Sequence, residues 1–460
     1  MSKISFTIFG IFLSLGVLGC QNLDRLGLED VRYINPKTYA YKAFWGPNAM
    51  NQTVAGQVKI DVYPHPLSLD LLTDEARTDV QKIDHTRLIP IIIVHGGGWN
   101  IGSTLTPLFR NWLTLLRNTR FRVFSIETRM SRCDVSLSTL AGPENSCWPY
   151  PTPAEDMRDA VAWVKGRAEA FDIDPNQVIL IGDSAGGHLT MLHGFKESQT
   201  PSSLIPCPKY FKPEQPITTS GPICDTRVAG VANFYGPVDF EDIRKNKNEN
   251  FHIIADLFNE TPEHLTNVIE TALSGGSLSN ADRRLYNNYR DADVINHIHG
   301  AVPQVFLSYT IADALVPYSN YLNLVSRLNA VGHGPKFKSE LSDYAYQSLF
   351  PITLNTPAQY FPHSYMWAIG ALGKEFYYKE QNLRWSEPDP PKDLARMLKI
   401  TRKKQDPLIE LLQGIAHDSH QYLDAKGQLH SIDKNLRQWI FCEAAPVRSE
   451  CSTKPNFFGL

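Results

Sequence analysis

The feature that most constrains this chain is a strand, a glycine-flanked turn and a helix in immediate succession. An apolar run, Val178 to Gly182, leads into Gly182-Asp183-Ser184-Ala185-Gly186-Gly187, and a helical pattern begins at Ala185. A turn this abrupt from strand to helix leaves no room for side chains two residues before and two after its centre. The serine at that centre then projects from the end of the strand, at a helix N-terminus where developing negative charge is favoured.

The rest of the pattern supplies a sheet for that strand. Gln57 to Tyr63 alternates and stops at Pro64, and Leu88 to His95 is apolar and β-branched, as a parallel strand buried on both faces should be. Further strands are expected at Phe121 to Glu127, Val228 to Tyr235, Val305 to Tyr309 and about Lys336 to Leu341. Helices are expected over Pro107 to Leu116, Pro153 to Ala170 and Tyr318 to Ala330. Strands alternating with helices predict an α/β fold, with a mostly parallel central sheet and helices on both faces. Residues 241–300 are polar, Asn-rich and helical in pattern, long enough for a cap, and from about 371 the chain reads as a charged helical extension.

His95-Gly96-Gly97-Gly98-Trp99 follows the first strong strand. Three successive glycines leave backbone N–H groups unobstructed, as a hole for a tetrahedral oxyanion requires. Glycine loop and serine turn, at the ends of neighbouring parallel strands, make an acyl-transfer site.

On these motifs the chain resembles the α/β-hydrolase superfamily, in particular the HGGGW esterase/lipase group related to hormone-sensitive lipase and to bacterial carbohydrate-ester esterases. Asp61-Val62-Tyr63-Pro64, Phe234-Tyr235-Gly236-Pro237 and Asp313-Ala314-Leu315-Val316-Pro317 agree with it, over about residues 55–370. The resemblance implies Ser184 as nucleophile, Asp313 as the acid of the triad, and the amides of Gly97, Gly98 and Ala185 as oxyanion donors. His95 would orient the glycine loop, and Asp183 would support the nucleophile from beside it. The histidine must follow the acid in chain order, which leaves His333, His363, His417, His420 and His430. His333 ends a helix that runs to the wrong end of the sheet, whereas His363 follows the last expected strand on the catalytic side. His363 is therefore the expected base. The expected activity is hydrolysis of short-chain or carbohydrate-linked carboxylic esters through an acyl-enzyme, with no metal or organic cofactor. A non-catalytic binding scaffold and a peptidase or amidase of the same fold are the alternatives. Trp99 adjoins the loop and is expected at the pocket, whereas Trp148, Tyr235 and His188 read as packing residues.

The N-terminus reads as a targeting segment. Lys3 precedes an uncharged apolar run from Ile4 to Gly19, too short to span a bilayer, and Val17-Leu18-Gly19-Cys20 resembles the bacterial lipobox. Domains are thus expected at 1–19 (signal peptide), 20–50 (lipidated tether and lead-in), 51–375 (catalytic domain, with its cap at 241–300) and 376–460 (helical extension). Lipidation of Cys20 would place the protein on a bacterial membrane, with Gln21 favouring the outer one, on its periplasmic side or exposed at the surface. Of the seven cysteines, six remain for disulfides; six thiols allow about fifteen pairings, and the expected one joins each to its neighbour across its own loop: Cys133 with Cys147, Cys207 with Cys224, and Cys442 with Cys451. No C-x₂₋₄-C spacing offers a zinc site.

With 45 basic and 48 acidic residues, a net charge of −3 gives no field to neutralise phosphates, so nucleic acid is not an expected partner. The expected partners are an ester substrate and, through the N-terminal lipid, a membrane. Replacing Cys20 with Ser should move the protein from the membrane fraction to the soluble one. A mature N-terminus placed elsewhere by mass spectrometry would contradict the lipobox reading.

Overall fold

In a computed structural model, residues 36–64, 87–104, 121–133, 145–200, 204–209, 212–218, 224–246, 250–308, 315–332, 421–423, 429–431 and 440 are described. They hold a seven-stranded mixed sheet. Its strands are β1 (Lys37–Pro47), β2 (Thr53–Val62), β3 (Ile89–Val94), β4 (Phe121–Ile126), β5 (Ile179–Asp183), β6 (Gly230–Phe234) and β7 (Gln304–Ser308), in the order β1-β2-β4-β3-β5-β6-β7. β1 and β2 are antiparallel to each other, and β2 runs antiparallel to β4, while β4, β3, β5, β6 and β7 are mutually parallel. All residues of β3, β5 and β6 are buried, and β3 is apolar throughout where an edge strand would alternate, while the buried polar residues Asp183 and Asn233 lie toward the ends of β5 and β6. Pro90 cannot donate to a ladder, and it sits where only β4 pairs with β3; the β5 ladder begins one residue later, at Ile91.

Register brings the functional loops to one end. Val94 pairs with Gly182, Asp183 with Phe234, and Phe234 with Ser308. The glycine loop, Ser184, the Tyr235 turn and the chain after β7 therefore leave the sheet at the same edge. From β3 the chain goes to β4 on one side, then crosses to β5 on the other. The gap beyond β3 and β5 is thus the switch point where open α/β sheets place their sites.

Helices α1 (Thr152–Lys165), one-turn α2 (Ala168–Phe171), α3 (Ser184–Ser198) and α8 (Tyr318–Ala330) accompany the sheet. Between β6 and β7 lie α4 (Phe240–Asn246), α5 (Phe251–Leu257), α6 (Pro262–Leu273), α7 (Asn280–Ala292) and a 3₁₀ turn, Val294–His297. α6 and α7 begin where their sequences direct: the Thr261 and Ser279 side chains accept the N–H groups of His264 and Asp282, at 3.2 and 3.1 Å. Among the described residues no helix is long and apolar enough to cross a membrane. Two expected disulfides are formed, Cys133–Cys147 and Cys207–Cys224. Cys20, Cys442 and Cys451 lie outside the described residues, as do the expected helix at 107–116 and strand at 336–341.

Three expectations need correction. Residues 37–47 belong to the sheet as β1, where the sequence reads as lead-in up to residue 50. A bulge between Ala40 and Lys42 buries Tyr41 and Lys42 in succession, which destroys the alternation that marks a strand. The helix expected over 153–170 breaks at Gly166, because Arg167 turns inward to stack on the Trp163 ring at 4.2 Å and to donate to the Gln215 carbonyl. The C-terminal stretch read as helical contains a short antiparallel ladder, β8 (Gln421–Leu423) with β9 (Leu429–Ser431).

Lys42 is buried because it has partners. Its ammonium meets Asp156 at 2.9 Å and Asp159 at 2.6 Å, and Arg129 forks onto Asp156 with contacts of 2.7–3.2 Å. The Arg129 guanidinium also lies 4.7 Å from both the Phe44 and Trp148 rings. The two carboxylates respond in opposite directions. Burial raises both, but two cations overcome it at Asp156, whose carboxyl falls below its ordinary value, whereas Asp159, with less compensation, stays above. Asp156→Ala would leave two buried cations without their common acceptor. It should destabilise the fold by about 3–5 kcal/mol in urea unfolding, and Asp156→Asn by less.

Candidate active site

Ser184 stands between β5 and α3 with φ of +47°, a left-handed conformation that a non-glycine residue adopts only under constraint. The constraint is visible on either side. A side chain on Gly186 would collide with the Val94 carbonyl of β3, and one on Gly182 with the Gly186 carbonyl. The first turn of α3 thus lies backbone to backbone against the ends of the strands, and Ser184 takes up the bend.

The glycine loop is tied to this turn. The Gly96 N–H donates to the Asp183 carboxylate at 2.9 Å, and a Cβ on Gly96 would come within 3.0 Å of the Ser184 Cβ. Gly97 has φ of +118°, and any side chain there would strike the Ile101 carbonyl. Gly98 and Trp99 both have φ of +60°. The loop recloses through Asn100 and Ile101, whose N–H groups donate to the Gly97 carbonyl at 3.1 Å. His95 is buried and its Nδ1–H donates to the Gly96 carbonyl at 2.7 Å, while Gly102 packs against its ring. Burial holds its pKa below the ordinary imidazole value. At the far end, the Trp99 carbonyl accepts the Ser131 N–H at 2.9 Å, two residues before the Cys133–Cys147 disulfide.

Gly98, Trp99, Ser184 and Ala185 share one cavity, with about 330 Å³ of space counted out to its open mouth. Its walls are Pro237, residues of α4 and α5, and Leu315 with Val316. Nothing in the sequence marks these wall residues, because apolar positions on short helices read as ordinary core. Trp99 lines the cavity as expected. Tyr235 and Trp148 do not, Trp148 packing on Phe44 at 5.2 Å. Asp313 and His363 lie outside the described residues.

The sequence of the glycine loop, the bend at Ser184 and this sheet order meet a match to the family described as BD-FAE, whose model spans residues 80–328, more than half of the chain. The chain belongs to this α/β-hydrolase family. Among curated relatives, the "Probable carboxylic ester hydrolase LipM" of Mycobacterium tuberculosis is 24% identical over 262 residues, 56% of this chain and 49% of that protein. "Esterase LipC" of the same organism is 26% identical over 331 residues, 69% of this chain and 70% of its own length. This BD-FAE member thus spans about half of LipM. A solved esterase from Thermogutta terrifontis is 16% identical with a TM-score of 0.39, over 66% of this chain and 82% of that one.

Behind the loop, His188 is fully buried on α3. Its Nε2–H donates to the Ala292 carbonyl at 2.8 Å, its ring stacks on Phe240 at 5.1 Å, and Trp99 meets it edge-on at 5.1 Å. It is a packing residue, as expected. Burial first, and His297 nearby, lower its pKa to about 4. The unfolded chain binds this proton below about pH 6.5 and the folded chain only near 4, so His188 contributes stability above 6.5 that is lost as pH falls through this window. His188→Phe should flatten the decline by about 3 kcal/mol between these limits, measured as the difference from the parent protein in urea unfolding at each pH.

Proposed function

We propose that this protein is a serine esterase that hydrolyses short-chain or carbohydrate-linked carboxylic esters, with Ser184 as nucleophile, His363 as base and Asp313 as the acid that orients it. The observation that carries the reading is the strained Ser184 facing the glycine loop across one small cavity. The relatives named as ester hydrolases favour the same chemistry. Leu315 and Val316, two and three residues after Asp313 in the chain, line that cavity, which supports Asp313 as the acid. His363 rests on chain order and on its place after the last expected strand.

In this mechanism His363 takes the Ser184 proton as the oxygen attacks the ester carbonyl, and Asp313 stabilises the imidazolium. The amides of Gly97, Gly98 and Ala185 hold the oxyanion, each good donor contributing about 3 kcal/mol. Collapse expels the alcohol, protonated by His363. Water then attacks the acyl-enzyme with His363 again as base, and Ser184 is restored. No step calls for a metal or organic cofactor. We propose further that the lipid on Cys20 holds the enzyme to the membrane.

Ser184→Ala should fold normally and lose several orders of magnitude in turnover of p-nitrophenyl acetate. His363→Ala should cost nearly as much, and the double variant no more than either alone, because the pair acts as a unit. His333→Ala should cost little. An active Ser184→Ala protein would refute the mechanism. A parent protein inert to esters and to fluorophosphonate labelling would point to a binding scaffold, and faster turnover of a peptide substrate to an amidase.

A further inference from the structure

The wall of the cavity opposite the glycine loop is built by α5. The Ile253 Cγ2 lies 3.4 Å from the point where a side chain on Gly98 would begin, so Ile253 faces the loop that borders Ser184. Ile254 beside it, Ile243 on α4 and Val316 complete an apolar surface. This wall is bound to the loop it faces. Asn100, one residue past Trp99, donates through Nδ2 to Asp256 on α5 at 3.1 Å, and Arg132 reaches the same carboxylate oxygen at 3.5 Å. The Leu257 carbonyl accepts the Tyr150 N–H at 2.9 Å. Asp256 and Leu257 are consecutive, so these ties act together at the C-terminal end of α5 and hold that end against the glycine loop and Tyr150.

Such a wall suits one part of an ester better than the other. A sugar or other polar alcohol brings hydroxyls that need partners. Among the described lining residues, apart from Ser184 and the Trp99 indole, only Asn250 carries a polar side chain, and its Nδ2 donates to the Leu315 carbonyl at 3.3 Å. Methylenes need no partner and gain from apolar contact. The acyl chain also stays bound to Ser184 between the two steps, while the alcohol must leave.

We propose that Ile253 is the residue that sets acyl length, admitting short acyl groups such as acetyl and propionyl and excluding hexanoyl and longer chains. The proposal rests on the serine-esterase reading, and its test is arranged so that the two fail differently.

The full chain is purified with Ile253→Ala, Ile253→Val and Ile253→Phe variants, and active sites are counted with a fluorophosphonate. Values of kcat/KM are measured per labelled site on p-nitrophenyl acetate, butyrate, hexanoate and octanoate, and on acetates of different alcohols. The parent protein should favour acetate. Ile253→Ala should raise the hexanoate-to-acetate ratio by about tenfold or more, since one methylene in an apolar pocket commonly changes selection by that factor. Ile253→Val should move it in the same direction by less, and Ile253→Phe should lower the butyrate-to-acetate ratio. Ile253 is only partly buried, so these changes should leave folding intact, checked by circular dichroism. If the variants label normally but their acyl ratios stay within about twofold of the parent, the assignment is wrong. It is equally wrong if only the ranking of alcohols moves. Failure of the parent protein to label or to hydrolyse any ester would instead remove the serine-esterase reading, and the gauge with it.

Discussion

The close approach of α3 to the end of β3 is the constraint on which the site depends. At Gly186 a single β-carbon would enter the Val94 carbonyl, and at Gly182 one would enter the carbonyl of Gly186. These are clashes of backbone with side chain, so no change of rotamer relieves them. Because the helix can start this near the sheet, Ser184 is forced to φ of +47°, and Asp183 is left where its carboxylate accepts the Gly96 N–H. The pairing of Val94 with Gly182 puts both loops at the same height. One register error between β3 and β5 would separate them.

Around this centre the protein uses buried polar links where an apolar core would suffice for stability alone. Asn320, in the first turn of α8, is fully buried with both ends of its amide engaged. Its Oδ1 accepts the N–H groups of Val238 and Asp239 at 2.8 and 2.9 Å, and its Nδ2 donates to the Asp239 carbonyl and the Asp242 carboxylate. That fixes the start of α8, just beyond Leu315 and Val316, to the chain leaving β6. Asp293 accepts the Phe240 N–H at 3.1 Å, and burial together with neighbouring Asp239 pushes its carboxyl well above the ordinary range. Unsatisfied, each of these groups would cost stability, but satisfied, they allow one arrangement and exclude nearby ones.

What was legible in the sequence follows from this division. β3, β5 and the turn at Ser184 are dictated by local sterics and by runs of β-branched residues, and both signals survive in a single sequence. The disulfides Cys133–Cys147 and Cys207–Cys224 were legible for a similar reason, each closing its own loop. β1 was hidden because its bulge and its buried Lys42 depend on Asp156 and Asp159, over a hundred residues away. The break after α1 had a local signal in Gly166, but the inward turn of Arg167 onto the Gln215 carbonyl, set by a distant partner, was hidden. The cavity wall was hidden because Ile243, Ile253 and Ile254 are no different in sequence from the isoleucines of the core. Only the fold decides which isoleucines face Gly98.

Among the described residues, carboxylates join the helices between β6 and β7 to the body at several separated places. Asp256 on α5 holds Asn100 beside the glycine loop. Asp239 and Asp242, at the start of α4, hold Asn320 on α8. On α7, Asp291 accepts from Lys196 of α3 at 2.6 Å and from the Tyr150 hydroxyl at 2.5 Å. A lid that swings needs a hinge on one side and free surface on the other, and among the described residues this insertion has polar anchors on α3, α8 and the glycine loop alike. Opening it would break charge-assisted hydrogen bonds in several directions at once. On the esterase reading proposed above, selection at this cavity would follow from fixed shape, an acyl group being accepted or refused by whether it fits between Gly98 and α5.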